Sequence, residues 1–283
     1  FEKKDRKLVG KLNAKSYTLK NRQFVNEEYS VYSKDVIDYT DELNNQFIDQ
    51  RNKNGSTNLS LSFVEPFMSH SVFEFRYEYD HNKIDAQRYV YNWLDARQSN
   101  ILDSLTVDYG YKFNSNKVGL IYQFTPNKRV KFNLGFAVQP IRMNGKVLND
   151  TLEYNYENIN LVPTTNFSYK LSSNVDFQVS YRGRNNQPSF FQIVPVLNNT
   201  NSRNIILGNP ELKSEFSHGF VTSLRAFIPT RMQYVESNFS YNYVKDKIVT
   251  DKKPLENTTI QQTTFRNANG YYDWKWNYVF NTP

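Results

Sequence analysis

Four stretches of this chain alternate apolar and polar side chains with a period of two, and aromatic rings dominate the apolar positions. In "YDWKWNYVF", Tyr272, Trp274, Trp276, Tyr278 and Phe280 oppose Asp273, Lys275 and Asn277. In "SVFEFRYEYDHN", Phe73, Phe75, Tyr77 and Tyr79 oppose Glu74, Arg76, Glu78 and Asp80. "VKFNLGFAVQP" sets Val130, Phe132, Leu134, Phe136 and Val138 against Lys131, Asn133 and Gln139, with Gly135 and Ala137 between them. "NVDFQVSYRGR" sets Val175, Phe177, Val179 and Tyr181 against Asp176, Gln178, Ser180, Arg182 and Arg184. Successive side chains of a strand point to opposite faces, so this period specifies β-strand. Noisier versions at 8–18, 57–63, 152–171 and 237–249 extend the pattern, and no helical stripe competes with it.

A soluble sandwich and a membrane barrel both alternate, the first hiding its apolar face and the second turning it to lipid. Two features favour the barrel. Aromatic rings are concentrated as in the girdles at membrane interfaces. The connections also alternate in length: short at 65–70, 125–128, 172–174, 229–231 and 269–272, and long at 20–45, 81–101, 144–151, 186–214 and 251–257. Outer-membrane barrels sort their turns and loops this way. The fold class expected is therefore all-β, an antiparallel up-and-down transmembrane β-barrel, with some strands long enough to project beyond the membrane on the long-loop side. In "VDYGYKFNSNKVGLIYQF" the apolar parity changes across Asn114 to Lys117, as a hairpin turn or a bulge would make it. A turn would place two short connections in succession, which favours the bulge. The count comes to about eleven strands. Single-chain bacterial barrels have even numbers, and the chain opens on "FEKKDRKLVG" and stops at "YVFNTP". The expectation is thus one domain, 1–283, forming part of a larger barrel.

Composition removes other classes. The 283 residues contain no cysteine, which excludes disulfides, thiol catalysis and Cys-based metal sites. No apolar run reaches the length of a membrane helix, and an aromatic content of 16% does not fit a disordered chain. The net charge of +7 is spread along the sequence rather than clustered, so it leaves no nucleic-acid footprint. His70, His81 and His218 are dispersed, and no catalytic constellation, phosphate loop or zinc spacing occurs. No enzyme activity, cofactor or resident metal is expected. Asp80, His81 and Asp85 suggest at most a weak cation site in a long polar loop, weighed against a solvated loop. Ligand contacts would come from the lumen-facing polar set Glu74, Arg76, Glu78, Lys170, Gln178, Arg182 and Arg184, which in any wide barrel also serve as a hydrated lining.

The segment 160–220 resembles the late barrel of TonB-dependent outer-membrane receptors, and more narrowly the outer-membrane β-barrel family of Bacteroidetes. The resemblance rests on Pro163 with the run 169–172; on Ser180, Tyr181 and Arg184 leading into Gln187, Pro188 and Ser189; and on "GNPELKSE", 208–215, with Gly208, Asn209, Pro210, Leu212 and Glu215. "FEKKDRKL" is similar to a turn of that family with Asp5 in place of Gly, "SFVEPF" to another turn, and "FRNANGYYDW" to its Asn-Gly hairpin. The resemblance implies a barrel of about 22 strands in the outer membrane of a Gram-negative bacterium. It also implies a plug domain and closing strands that this chain does not show, and energy from the TonB system through the plug. Its partners would be outer-membrane lipid and lipopolysaccharide, a small or oligomeric nutrient, and a surface lipoprotein. "GNPELKSE" would set the passage from a long loop into a strand at the barrel mouth. The alternative is a non-transporting β-rich surface or adhesion module. Iron chelate, saccharide, peptide and cobalamin are not distinguished by the sequence.

Overall fold

The computed structural model describes residues 5–32, 39–94, 97–147, 153–195, 197–201, 203–255 and 260–283. Its wall is built from β1 (Lys7–Tyr32), β2 (Tyr39–Met68), β3 (Ser71–Leu94), short β4 (Arg97–Ile101), β5 (Val107–Phe124), β6 (Val130–Val147), β7 (Glu153–Ser172) and β8 (Val175–Asn186). A one-turn helix α1 (Phe190–Ile193) and short strands β9 (Leu197–Asn201) and β10 (Asn204–Leu207) follow, then β11 (Glu215–Ile228), β12 (Gln233–Lys245), β13 (Lys247–Pro254), β14 (Gln261–Ala268) and β15 (Tyr271–Asn281). Eleven strands form one sheet in the order β1-β2-β3-β5-β6-β7-β8-β11-β12-β15, with β4 added on β3; a second sheet has the order β13-β14-β10-β9. Each strand of the main path is antiparallel to its neighbours, as in an up-and-down barrel wall. Among the described residues the wall is not closed: β1 pairs only with β2 and β15 only with β12.

The polarity of the two faces changes with height. On the outer face, the directly paired row Gly10, Leu61, Tyr77, Val118, Val138 and Leu161 is apolar apart from its glycine. Two rows toward the long loops, the same face carries Ala14, Thr57, His81, Asn114, Arg142 and Glu157. The inner face changes in the opposite sense. Along β6, Leu134 and Phe136 point outward and are 50% and 51% exposed, whereas Ile141, Met143 and Val147 point inward and are only 3%, 3% and 5% exposed. Residues 130–138 match the ~9–11 that a strand needs to cross a membrane. Below the switch the outer face meets hydrocarbon; above it the sheet stands in water and hides its apolar side inward, as a soluble sheet does.

This switch accounts for 114–117. β5 is one continuous strand there, and its register with β3 runs from Ser71↔Phe124 to Arg88↔Val107 without a shift. Neither a bulge nor a turn is present; the apolar residues change face because the surroundings change. For the same reason, much of the polar sequence at 20–45 and 81–101 is strand: β1, β2 and β3 have 26, 30 and 24 residues and project well past a membrane. Residues 33–38, 95–96, 148–152 and 256–259, parts of the expected long connections or next to them, lie outside the described residues. The sorting of connections holds at 69–70, 125–129, 173–174 and 229–232, all at one end.

Asn269 and Gly270 do not close a hairpin. β12 with β13, and β14 with β15, are the two arms of one long hairpin, and both arms bend at the same level. Asp246 and Gly270 have φ of 53° and 93°, and the Asp246 N–H donates to Asn269 Oδ1 at 2.8 Å. The bend carries β13 and β14 away from the wall, so that β14 pairs with β10. Asp5, the replacement for the expected glycine, has φ of 69°; Asp tolerates that left-handed region better than most residues.

The switch predicts unequal costs along one face of β6. Phe136→Arg should weaken assembly by about 2–4 kcal/mol, and Asn144→Arg, eight positions on and facing the same way, by about 0–1 kcal/mol. Urea-unfolding midpoints in lipid vesicles provide the measurement.

Candidate functional site

Above the switch, Tyr109, Tyr111 and Phe113 of β5, Met143 and Val147 of β6 and Tyr154 and Tyr156 of β7 leave an apolar inner surface. Segment 187–214, in its described residues 187–195 and 203–214, folds back onto it. Phe190 is 1% exposed and stacks on Tyr111 at 4.8 Å and 11°, with Tyr109 beside it at 5.9 Å. The ring enters where β6 has Gly145, since a Cβ there would overlap it. Ile193, Val194 and Leu212 join Met143 and Val147 in one buried cluster, with Ile248 of β13 and Phe265 of β14 against it. Each fully buried side chain of this kind contributes about 1.5–3 kcal/mol, which offsets the entropy of fixing a long loop.

The residues that carry the family resemblance hold this docking together. Pro188 is fully buried, and the Ser189 N–H donates to Gln192 Oε1 at 2.9 Å at the start of α1. A Cβ on Gly208 would overlap the Val194 carbonyl, so only glycine allows the two backbones to touch. Asn209 donates through its backbone N–H to Gln192 O at 2.7 Å and through Nδ2 to Phe265 O at 3.0 Å, while its Oδ1 accepts the Glu211 N–H. Glu215 accepts from Asn186 Nδ2 at 2.9 Å and from the Ile248 N–H at 2.7 Å, joining the ends of β8, β11 and β13.

The wall has a seam beneath this segment. The β7–β8 ladder stops at Thr164↔Arg182, although both strands continue. Pro163 follows in the direction of the seam; it has no N–H to donate, and proline confines a strand to an edge. Above it β7 pairs with β6 and β8 pairs with β11. Ser214 crosses the gap from inside, sharing a hydrogen bond with Tyr156 OH at 2.9 Å and accepting Asn158 Nδ2 at 2.8 Å.

All seven lumen-facing candidates lie on the inner face by register, but they fall into two groups. Glu74 binds Arg76 at 2.7 Å and Ser62 Oγ at 2.8 Å, and Glu78 pairs with Lys117 at 3.2 Å, forming a cluster on β2, β3 and β5. Lys170, Gln178, Arg182 and Arg184 stand on β7 and β8, with β5 and β6 intervening; Gln178 donates to Asn166 at 3.3 Å. Asp80, His81 and Asp85 lie within β3 rather than in a loop. Asp80 faces inward and accepts from Asn58 at 2.6 Å; His81 faces outward against Asn114 at 2.7 Å; Asp85 also faces outward and pairs with Lys83 at 3.1 Å. Strand parity therefore separates Asp80 from the other two. Among the described residues no three His, Cys, Asp or Glu converge as a metal site.

Sequence reasoning missed the vestibule that the docked segment creates. A cavity of about 770 Å³ lies between Gln187 to Gln192 and the inner wall. Its wall side carries Tyr17, Asn54, Ser56, Asn82, Tyr111 and Phe113, and among the described residues no Asp, Glu, Lys, Arg or His lines it. Beside it, burial first and Tyr111 second push the Tyr109 phenol up to about 12. The only signal in the sequence was the apolar "SFFQIVPVL" after Pro188, unusually rich in large side chains for a loop.

The model of the outer membrane protein beta-barrel family matches residues 1–283. Among curated proteins none matches by sequence. Among solved structures, the copper transporter OprC superposes with a TM-score of 0.58 at 9% identity, covering 79% of this chain and 34% of that one. FpvAI in its complex with pyocin S2 gives 0.58 at 11% identity, with 98% and 35% covered. The ferric-catecholate import receptor Fiu from E. coli K12 gives 0.57 at 7% identity, with 99% and 43% covered. The chain thus spans about a third to under a half of these three structures, whose fold it shares.

Gly145→Leu should expel Phe190 and release segment 187–214 while leaving the wall assembled. The readout is protease cleavage within 187–214 alongside retained heat-modifiable migration. Because the docked Tyr109 phenol is held neutral, docking is at full strength below pH 10, the ordinary tyrosine value, and weakens as pH rises from 10 toward 12. Burial raises Tyr111 beside it in the same direction, so protease accessibility across that range should follow, Tyr109→Phe should lessen it, and Tyr109→Phe with Tyr111→Phe should flatten it.

Proposed function

The chain belongs to the outer membrane protein β-barrel family and is a component of the outer membrane; from this premise we propose that it is the middle-to-late part of the barrel of a TonB-dependent uptake receptor. The observation that carries the proposal is the inward-folded segment 187–214, which narrows the long-loop mouth to a lined vestibule above a charged interior. In a barrel of this kind the long loops face outside, so the vestibule is where a ligand arrives. The two open sheet edges, at β1 and β15, support a larger barrel, because lipid cannot satisfy unpaired backbone groups. The charged groups on β3 and β8 fit a plug domain seated in the lumen. The vestibule offers amides, hydroxyls and aromatic faces without an ionised side chain among the described residues, which favours a neutral ligand over an anionic chelate.

This reading predicts that deleting the whole gene abolishes uptake of at least one nutrient from a panel of ferric chelates, cobalamin and oligosaccharides. Collapsing the proton gradient should abolish the same uptake. Unchanged uptake across the panel would contradict the proposal, as would a chain that purifies without detergent as a cooperatively folded monomer, the behaviour of a soluble adhesion module.

A further inference from the structure

Above the seam β7 outlasts its neighbour. The β7–β8 ladder stops at Thr164↔Arg182 and β8 ends at Asn186, while β7 reaches back to Glu153 with only β6 beside it among the described residues. The odd positions of this stretch turn their backbone groups away from β6. Pro163 has no N–H, the Ile159 N–H donates to Asn158 Oδ1 at 2.9 Å, and the Leu161 carbonyl accepts Asn185 Nδ2 at 3.2 Å. By the same alternation Asn155 and Glu157 present their N–H and C=O groups to that side, and among the described residues no hydrogen bond meets them. A row of free backbone groups at a sheet edge is a template for a further strand. Beside the edge lies a cleft of about 760 Å³, lined by Glu157 to Leu161, by Leu212 and Ser214 of the docked segment, and by Lys213, Lys245 and Asp246. Lys245 is in the row of Leu161: it is opposite Phe216, Phe216 is opposite Asn185, and Asn185 bridges to Leu161. Asn160, on the same cleft, is 2% exposed; its Oδ1 accepts Asn158 Nδ2 at 3.2 Å, but its own Nδ2 has no partner. A buried donor without an acceptor costs the folded chain free energy, which an acceptor entering the cleft recovers.

We propose that this edge is a docking site for an extended acidic segment of a second polypeptide, which adds to the wall as a strand beside β7. Three observations select this occupant. The free groups of Asn155 and Glu157 alternate donor and acceptor at strand spacing, which an extended main chain matches. The unpaired Asn160 amide needs an acceptor, and a main-chain carbonyl supplies one. Lys213 and Lys245 make no ion pair among the described residues, and Glu157 is already engaged by Arg142 at 2.7 Å. Asp246 alone therefore faces two ammonium groups, and carboxylates on the incoming segment complete the balance. Side chains alternate along a strand, so acidic ones turn toward the lysines while the others pack on Leu212. Positions 155–159 stand on the water side of Leu161, so the segment arrives from solution. None of the residues lining this cleft lines the vestibule, and docking here is independent of any uptake through it.

The test is fluorescence anisotropy of a labelled, end-blocked peptide, Thr-Val-Asp-Val-Glu-Val-Thr, titrated with the full-length protein in lipid nanodiscs. The acidic peptide is expected to bind about tenfold more tightly than the version with lysine in place of both acids. N-methylation of alternate residues blocks one edge of the peptide at a time; one of the two methylated versions should bind about tenfold more weakly and the other normally. Glu157→Pro removes a seam-facing N–H at the same parity as Pro163 and costs the wall no hydrogen bond to β6. It should weaken binding about tenfold with heat-modifiable migration unchanged, although it deletes a carboxylate and a purely electrostatic site would bind the acidic peptide no worse. Lys213→Glu with Lys245→Glu should reverse the preference between the acidic and lysine peptides. No binding of the acidic peptide, equal binding of both methylated versions, or undiminished binding to Glu157→Pro would each overturn the proposal. If Glu157→Pro loses heat-modifiability, Asn155→Pro takes its place and is read in the same way.

Discussion

A backbone that crosses hydrocarbon must find all its hydrogen bonds within the protein, and here the ladders β2–β3, β3–β5 and β6–β7 run on from lipid into water. The ladder is indifferent to solvent, but the side chains are not. Over two rows the outer face therefore exchanges Val138 and Leu161 for Arg142 and Glu157, while over three the inner face exchanges charged Glu78 and Lys117 for Ile84 and Tyr111. The polarity inversion follows from placing one rigid sheet in two solvents. The vestibule and the seam are both built on the apolar inner surface that it creates above the membrane.

That surface needs a cover, and segment 187–214 supplies it. Phe190 over Gly145, Leu212 in the buried cluster and Asn209 between α1 and β14 make the cover part of the wall's folding rather than a separate flap. The bend at Asp246 and Gly270 then brings β13 and β14 across to join β10 and complete the second sheet. Pro163 ends one ladder and Ser214 closes behind it. In this arrangement "GNPELKSE" joins a roof, a hinge and a seam, a larger role than passing a loop into a strand.

The strands inside the membrane were legible because their surroundings are uniform: 130–138 and 272–278 keep their large apolar side chains on one face. Faces were legible for the same reason: Leu134 and Phe136 are exposed while Ala137, on the other phase, is buried. The misreadings share one cause, the assumption that the apolar face stays the same along a strand. It turned 114–117 into a bulge and the polar ends of β1, β2 and β3 into loops. Asn269-Gly270 was read as a hairpin turn because positive φ marks a change of direction without saying whether the chain reverses or only bends. The docking of Phe190 could not be read locally, since its partners Tyr111 and Gly145 are distant in sequence and the fit depends on the absence of a side chain.

The absence of cysteine permits a direct measurement of the inversion. Single cysteines placed at each position of 130–147 in the protein reconstituted in vesicles can carry a spin label, with collision rates measured against oxygen for lipid and a nickel chelate for water. The account predicts oxygen-rich, chelate-poor signals at 132, 134, 136 and 138, chelate-rich signals at 142, 144 and 146, and low values for both reagents at 141, 143 and 147. Oxygen access that continued unchanged through 146, or an apolar phase that slipped by one residue between 138 and 142, would contradict it.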